Sequence, residues 1–369
     1  MRGIYIHVPF CIKKCNYCDF CSFPEMLSRQ EEYTHTALGE MESYREENIK
    51  ADTLYFGGGT PSLLSLENIS KLIEGARKNL GLSSHSEITL EANPCTVTEK
   101  KALDWKKLGI NRISLGAQTF SDNELSILGR SHRSEETLRA FSQLRSAGFD
   151  NISLDLMYAI PGQDMESLKK TLYKFISLSP EHISSYGLKI EEGTPFYTME
   201  KAGDIFSKSD EEYAQMYELI RKELSEAGYG QYELSNFSKP NRESRHNLKY
   251  WQGKEYIGIG PAASSFYLSK RFTHTPDFDA YVNSLENIEQ YDLDKKDLMS
   301  EYMFLSLRLT RLGASKREFE ERFSQTIEEV FGNSIQKHID SGLLIDMKDR
   351  YVLADKAYYI SNYVLCDFV

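Results

Sequence analysis

Short β-rich runs recur at 3–8, 53–56, 87–91, 112–115, 151–156 and 182–186, and a helical pattern follows each of them. Strands separated by helices run parallel, because only an antiparallel return can be made by a tight turn. Units of this kind in succession predict an α/β fold whose parallel sheet is curved or closed, with right-handed crossovers. The helical pattern is clear where Ile69, Leu72, Ile73, Ala76 and Leu80 share one face, and again at Leu138, Phe141 and Leu144. Gly81, Gly109 and Gly148 stand where left-handed helix caps are expected. Residues 1–190 are therefore expected to form a partial barrel of six β/α units.

The remainder reads differently. Residues 189–213 are polar, contain Gly193, Pro195 and Gly203, and are expected to be a linker; a helical pattern resumes over 211–227. Residues 191–295 as a whole read as a mixed extension, and 296–369 as a separate C-terminal unit. In that unit Leu298, Tyr302, Leu305, Leu309 and Leu312 form a helical stripe, helices are expected over 316–323 and 327–341, and a hairpin over 343–347 and 351–353. This order is winged-helix-like. Residues 301–369 carry 9 basic and 11 acidic side chains, which argues against DNA as the partner of such a module.

The whole chain is acidic too, with 44 Lys and Arg against 55 Asp and Glu, a formal charge of −11. That argues against bulk electrostatic binding to nucleic acid or an anionic membrane, which needs a basic surface, and leaves room for a local basic patch. With 40% apolar residues, 23 Tyr and 19 Phe, the chain can bury a full core. No uncharged stretch is longer than 256–269, which is too short to cross a bilayer and holds Gly258, Gly260 and Pro261. The N-terminus lacks a signal peptide's apolar run, so a cytoplasmic location is expected.

Four of the six cysteines crowd into the loop after the first strand, at Cys11, Cys15, Cys18 and Cys21; Cys95 and Cys366 stand alone. A disulfide scaffold would spread its cysteines, so this clustering points to metal or redox chemistry. Thiolates are the usual ligands of iron–sulfur clusters, which commonly take four. The C-x3-C-x2-C spacing of Cys11, Cys15 and Cys18 offers three, leaving one iron of a cubane open to a small molecule. A zinc knuckle or a ferredoxin-type cluster are the alternatives, although zinc sites generally pair two C-x2-C hooks and no second hook exists here. Cys21, three residues after Cys18, suits either a further ligand or an innocent neighbour.

In parallel barrels the site gathers at the C-terminal strand ends. There the chain places Gly57, Gly58, Gly59 and Thr60, then Glu91, Gln118 and Arg130, and Asp155 within an apolar strand. The glycines also suit a plain tight turn, and each charged group also suits a structural ion pair. A carboxylate in such strands costs several kcal/mol unless it is paired or faces a solvated cavity.

The cysteine spacing resembles that of the radical S-adenosylmethionine (SAM) superfamily, in which SAM chelates the open iron and an electron passed to its sulfonium releases a 5′-deoxyadenosyl radical. Within it the chain resembles the HemW heme chaperone family, a relative of the oxygen-independent coproporphyrinogen III oxidases. The matching strings are Tyr5-Ile6-His7-Val8-Pro9-Phe10-Cys11, Gly57 to Ser62, Glu91-Ala92-Asn93-Pro94, Leu128-Gly129-Arg130, Tyr232 to Phe237, and His246-Asn247-Leu248-Lys249-Tyr250-Trp251. The resemblance implies a [4Fe-4S] cluster on Cys11, Cys15 and Cys18, and since it needs only these three, Cys21 is read as a neighbour rather than a ligand. It implies a SAM pocket lined by Tyr5, Tyr17, Gly59, Thr60, Glu91, Gln118, Arg130 and Asp155. It also implies heme bound through His246, Asn247, Tyr250 and Trp251, with a heme-acceptor protein and a reducing electron donor as partners. Read without the family, His246 is as well explained as a hydrogen-bonded core residue.

Two features separate the chaperone from the oxidase. The oxidase loop carries a fourth cysteine two residues after the third, where this chain has Phe20, and the chain starts only ten residues before Cys11. Against the chaperone, family members commonly have histidine where Ser264 stands, and often glycine where Cys95 lies. The competing functions are an oxidative decarboxylase of coproporphyrinogen and a non-catalytic iron–sulfur electron carrier. Whether the chain is an enzyme stays open at this point.

Overall fold

The computed structural model describes residues 1–285 and 288–369. Six parallel strands form its centre: β1 (Arg2–Val8), β2 (Ala51–Gly58), β3 (Leu82–Ala92), β4 (Arg112–Gln118), β5 (Ile152–Tyr158) and β6 (His182–Gly187). Between them run α1 (Gln30–Ser43), α2 (Leu66–Asn79), α3 (Glu99–Lys107), the short α4 (Asp122–Ile127) with α5 (Ser134–Ser146), and α6 (Met165–Leu178). Every expected strand is present, and most extend a few residues beyond the run that announced them.

Alternation along the strands decides what faces where, since neighbouring side chains leave opposite faces. Ile4, Ile6 and Val8 of β1, Leu54 and Phe56 of β2, and Leu154 and Leu156 of β5 are buried in the main core, as helix packing on the outer face requires. The intervening residues face the lumen and are polar: Tyr5 and His7, Thr53 and Tyr55, Glu87, Thr89 and Glu91, Arg112 and Ser114, Ser153 and Asp155, His182 and Ser184. The sheet is thus apolar outside and polar inside.

Residues 191–295 do not fold apart from this barrel. Strands β7 (Gly230–Glu233) and β8 (Asn236–Ser238) extend the sheet beyond β6, while β9 (Tyr256–Ile259), β10 (Ser264–Tyr267), β11 (Lys270–His274) and β12 (Ile288–Asp292) extend it beyond β1. The order among the described residues is β12-β11-β10-β9-β1-β2-β3-β4-β5-β6-β8-β7. The expected linker over 189–213 is also partly helical. It holds α7 (Pro195–Ala202), with Pro195 in the first turn and Thr194 accepting from the Tyr197 N–H, and the start of α8 (Asp210–Glu226).

The helix α9 (Arg245–Trp251) lies under the N-terminal ends of β1 and β2, and α10 (Phe278–Asn283) packs on α1. The C-terminal unit comprises α11 (Lys295–Ser306), β13 (Ala314–Ser315), α12 (Lys316–Phe323), α13 (Ile327–Asp340), β14 (Leu344–Asp346), β15 (Arg350–Leu353) and α14 (Ser361–Leu365). Its three strands pair in the order β13-β15-β14, the sheet of a winged helix. The leucine stripe of this unit is shorter than its spacing suggests. The helix ends at Ser306; Leu309 is buried from the following turn and Leu312 is exposed.

Candidate functional site

The cysteine loop leaves the C-terminal end of β1 and is tied down on several sides. Gly59 N–H donates to the Val8 carbonyl (2.8 Å) and Thr60 N–H to the Phe10 carbonyl (2.7 Å). Asn16 N–H and its Nδ2 donate to the carbonyls of Leu128 (3.0 Å) and Ile127 (2.8 Å). Phe196 of α7 donates its N–H to the Asn16 carbonyl (2.9 Å), and its ring is buried with Leu128, Met157 and Ile160, against which Tyr17 packs. The polar stretch read as a linker therefore props the cluster loop.

Glycine is required at position 59. A Cβ there would sit 2.6 Å from the Phe10 carbonyl oxygen and 3.1 Å from Cys11 Sγ. Cys11 is buried, with Sγ 3.5 Å from Thr60 Oγ1, and Arg130 Nη1 lies 3.6 Å from Cys15 Sγ. Burial pushes the Cys18 thiol up to about 11, and the neighbouring Cys15 and Cys11 sulfurs add to the shift. Crowded buried thiols of this kind deprotonate readily only against a cationic or metallic partner. Among the described residues no group of three His, Cys, Asp or Glu converges tightly enough for a single ion. A cubane makes no such demand, because each thiolate binds a different iron. Three thiols on one loop are the donor chemistry of an iron–sulfur cluster. Cys21 faces elsewhere, its thiol donating to the Pro276 carbonyl (3.2 Å).

Inside the lumen, one layer below the loop, stand the two carboxylates. Tyr55 OH donates to Glu91 Oε1 (2.8 Å) and Ser114 Oγ to Asp155 Oδ1 (3.0 Å). Burial, reinforced by the Asp155 charge, raises Glu91 to about 8. Burial raises Asp155 as well, opposed by Ser114, Ser184 and the charges of Arg112 and Arg130. Tyr186 keeps 43% of its surface accessible, yet the surrounding protein pushes its phenol well above the usual range. Gln118 ends β4 in a left-handed conformation (φ 65°), and buried His132 Nε2 donates to the carbonyl of Ala117 beside it (3.3 Å). Arg130 Nη2 donates to the Gly116 carbonyl (2.9 Å), beside which Gln118 also lies. Arg130 faces Tyr17 and Asp155, Asp155 faces Glu91 and Glu91 faces Tyr5, while Gly59 and Thr60 border Cys11.

His246, Asn247, Tyr250 and Trp251 are not brought to that end. They form α9, which closes the opposite end. Glu87 of β3 accepts from the N–H groups of His246 (3.1 Å) and Arg245 (3.3 Å), an anion at a helix N-terminus. Asp52 pairs with Lys249 (2.6 Å) and Arg245 (3.0 Å). His246 is 1% exposed, and both ring nitrogens are taken, Nδ1 by Thr53 Oγ1 (2.9 Å) and Nε2 by Tyr250 OH (2.7 Å). Both nitrogens of the His246 ring are thus engaged within the protein, and desolvation together with the charges of Lys249 and Arg112 lowers the imidazole to about 3. Asn247 is half-buried, its N–H bonded to Ser244 Oγ (3.3 Å). Trp251 lies under the Arg308 guanidinium, 4.4 Å from its ring centroid, joining α9 to the C-terminal unit. Ser264 is exposed on β10 and bonded to Thr273 (2.9 Å).

Comparison with known proteins fits this arrangement. Residues 5–174 match the model of the radical SAM superfamily, and residues 293–360 match that of the HemN C-terminal domain. A protein of Lactococcus lactis named heme chaperone HemW is 35% identical, over 100% of this chain and 97% of its own. One of the same name from Bacillus subtilis is 33% identical, over 100% of this chain and 99% of its own. The chain belongs to the HemW family of radical SAM proteins. The solved coproporphyrinogen III oxidase of Escherichia coli superposes with a TM-score of 0.86 at 20% identity, over 99% of this chain and 89% of that one, which shows that this HemW-family chain has the oxidase fold. Among the described residues no helix is long and apolar enough to cross a membrane.

Several residues of this HemW-family site escaped sequence reasoning as individuals. His7 Nε2 donates to the Cys21 carbonyl (2.8 Å), leaving Nδ1 to accept from Tyr5 OH (3.2 Å). Tyr55 carries Glu91. Arg112 is 1% exposed at the barrel floor, and its Nε and Nη1 have no hydrogen-bond partner among the described residues. The signal that would have found them is polar residues at every second position of otherwise apolar strands.

Proposed function

We propose that the chain is a heme chaperone of the radical SAM type. Cys11, Cys15 and Cys18 hold a [4Fe-4S] cluster. Tyr5, Tyr17, Gly59, Thr60, Glu91, Gln118, Arg130 and Asp155 form the SAM pocket, and heme is taken up for delivery to an acceptor protein. When bound and reduced by a donor, the cluster supplies an electron to the SAM sulfonium. The residues do the rest: Arg130 holds the Cys15 side of the loop against β4, and the Glu91 and Asp155 carboxylates suit the cationic groups of SAM.

The observation that carries this reading is the end-to-end match to relatives named heme chaperone HemW. It is supported by Phe20, which is 62% exposed on the cluster loop where the oxidase pattern has its fourth cysteine. Ile12 on the same loop is 53% exposed. Exposed apolar side chains beside the mouth suit the flat face of a porphyrin. His246, Asn247, Tyr250 and Trp251 enter this reading as the base of the barrel, not as the heme seat.

The test is anaerobic reconstitution followed by iron, sulfide and hemin titration, with the reduced cluster's magnetic spectrum recorded before and after SAM. One cluster per chain, a spectrum changed by SAM, and stoichiometric hemin uptake are expected. Conversion of coproporphyrinogen propionates to vinyl groups would replace this reading with the oxidase; a spectrum indifferent to SAM would reduce the chain to an electron carrier.

A further inference from the structure

The motif at the barrel floor reaches the cluster end through aromatic contacts. The His246 ring, clamped by Thr53 and Tyr250, lies 5.2 Å from the Tyr55 ring at a tilt of 32° and 6.5 Å from the Tyr5 ring. Gly3 makes room for it, since a Cβ there would stand 3.1 Å from His246 Cε1. Tyr5 and Tyr55 stack on each other at 6.2 Å. From these two rings the hydroxyls diverge upward. Tyr55 OH donates to Glu91 (2.8 Å). Tyr5 OH donates to His7 Nδ1 (3.2 Å), and His7 Nε2 donates to the Cys21 carbonyl (2.8 Å) at the end of the cluster loop. A phenol ring is rigid, so the plane in which it is held sets where its oxygen points.

We infer that His246 is a positioning residue for the SAM pocket: it fixes the Tyr55 and Tyr5 rings, and through their hydroxyls it aims Glu91 and braces the cluster loop. The inference rests on the SAM reading of Glu91 proposed above. It gives the heme-linked motif a role that needs no contact with heme. A mere core-filling role predicts something different, because truncating the motif would then lower stability and leave SAM affinity alone.

Glu91 is the group whose protonation reports the effect. It faces Tyr55 from β2, Asp155 from β5, Arg112 from β4, Tyr5 from β1, Tyr186 from β6 and, from α9, Tyr250. The Tyr55 hydrogen bond favours the ionised carboxylate. Without it, the carboxylate is harder to ionise and less able to meet a cationic ligand.

The experiment uses the full chain, reconstituted anaerobically, as wild type, His246→Gln and Tyr55→Phe. Iron and sulfide content, SAM affinity read from the reduced cluster's spectrum between pH 6.5 and 9, and hemin uptake from the Soret band are measured on each. Both variants are expected to keep their clusters and their hemin affinity. SAM affinity should fall about fivefold in each, the size of one lost hydrogen bond, and the midpoint of its pH profile should move upward in Tyr55→Phe. SAM affinity equal to wild type in His246→Gln overturns the inference whatever Tyr55→Phe shows, as does equal affinity in Tyr55→Phe or a tenfold loss of hemin affinity confined to His246→Gln. If His246→Gln does not fold, Thr53→Val, which releases only the Nδ1 side of the ring's clamp, takes its place and is read in the same way. A wild type that takes up no hemin sinks the chaperone reading while the SAM measurements still decide this one. A wild-type cluster indifferent to SAM overturns both.

Discussion

Arg130 Nη1 lies 3.6 Å from Cys15 Sγ, while Nη2 of the same guanidinium donates to the Gly116 carbonyl of β4 at 2.9 Å. One planar group therefore ties a cluster-loop sulfur to the sheet. Burial opposes its charge, yet the Tyr17 and Cys15 groups around it keep it firmly protonated. Arg130→Met is expected to lower iron per chain after reconstitution and to weaken SAM binding at least tenfold, which is about 1.4 kcal/mol. Arg130→Lys should recover only part of either, because an ammonium cannot make both contacts in one plane. Iron content and SAM affinity equal to wild type in Arg130→Met would remove this residue from the site.

Cys21 makes the opposite case. Its thiol points to the Pro276 carbonyl, and what the site takes from position 21 is a backbone carbonyl, the acceptor for His7. Cys21→Ala leaves that carbonyl in place. The variant is expected to match wild type in iron, sulfide and the reduced spectrum. Loss of the cluster would make Cys21 a ligand and close the open iron.

Gly59 limits the loop by volume rather than charge. Gly59→Ala would drive a methyl to 2.6 Å from the Phe10 carbonyl and 3.1 Å from Cys11 Sγ, and neither the backbone nor a ligating sulfur is free to give way. Cluster content should fall by more than half, measured as iron per chain, with the far-ultraviolet circular dichroism unchanged. A variant that reconstitutes fully would show that the loop can shift.

How much of this was legible beforehand follows from what periodicity records. The strands were, because outward residues such as Ile4, Ile6 and Leu154 alternate with polar ones. Cys11, Glu91 and Asp155 were, because each sits at a strand end or breaks an apolar run. The support given by Phe196 was not, since a short helix bracketed by Gly193 and Gly203 has the composition of a linker. Nor was the place of His246. The motif, read within a mixed stretch, tells neither that it forms a helix nor which barrel end that helix closes; the place is set by Glu87 and Asp52, which meet α9 from strands more than a hundred residues away. Arg112 reads as an ordinary strand-edge charge until β3 and β5 enclose it.

Glu91 makes SAM binding depend on pH. Its folded-state value of about 8 means that the carboxyl is largely protonated at neutrality, held so by burial and by the Asp155 charge. A cationic ligand binds the ionised form better. Affinity for SAM should therefore rise as pH increases from 6.5 through about 8 and flatten above it, measured by titration against the reduced cluster. Glu91→Gln should bind weakly and lose this slope. A wild-type affinity that is flat, or that falls across the range, would mean that Glu91 does not meet the ligand's charge.

His182 offers a test of the barrel floor that does not touch the cluster end. It is fully buried, with Nδ1 2.8 Å from Ser153 Oγ and Nε2 2.9 Å from Tyr232 OH, whose oxygen also receives the Ser244 N–H that opens α9 (3.3 Å). Burial, and then the Arg112 charge, hold its imidazole well below the usual value, so the folded chain keeps it neutral. In the unfolded chain it binds a proton near pH 6.5. The stability it contributes is thus fully present above about pH 6.5 and is lost as pH falls below that value. Glu91 works the other way, since its raised value favours the folded state as pH drops through 8, so the total curve mixes both and only a difference isolates His182. In urea unfolding, His182→Gln should destabilise the chain by about 1 kcal/mol less at pH 5.5 than at pH 7.5. An equal penalty at both values would mean that the floor takes up a proton on folding as readily as the unfolded chain does, and that Arg112 does not hold the ring neutral.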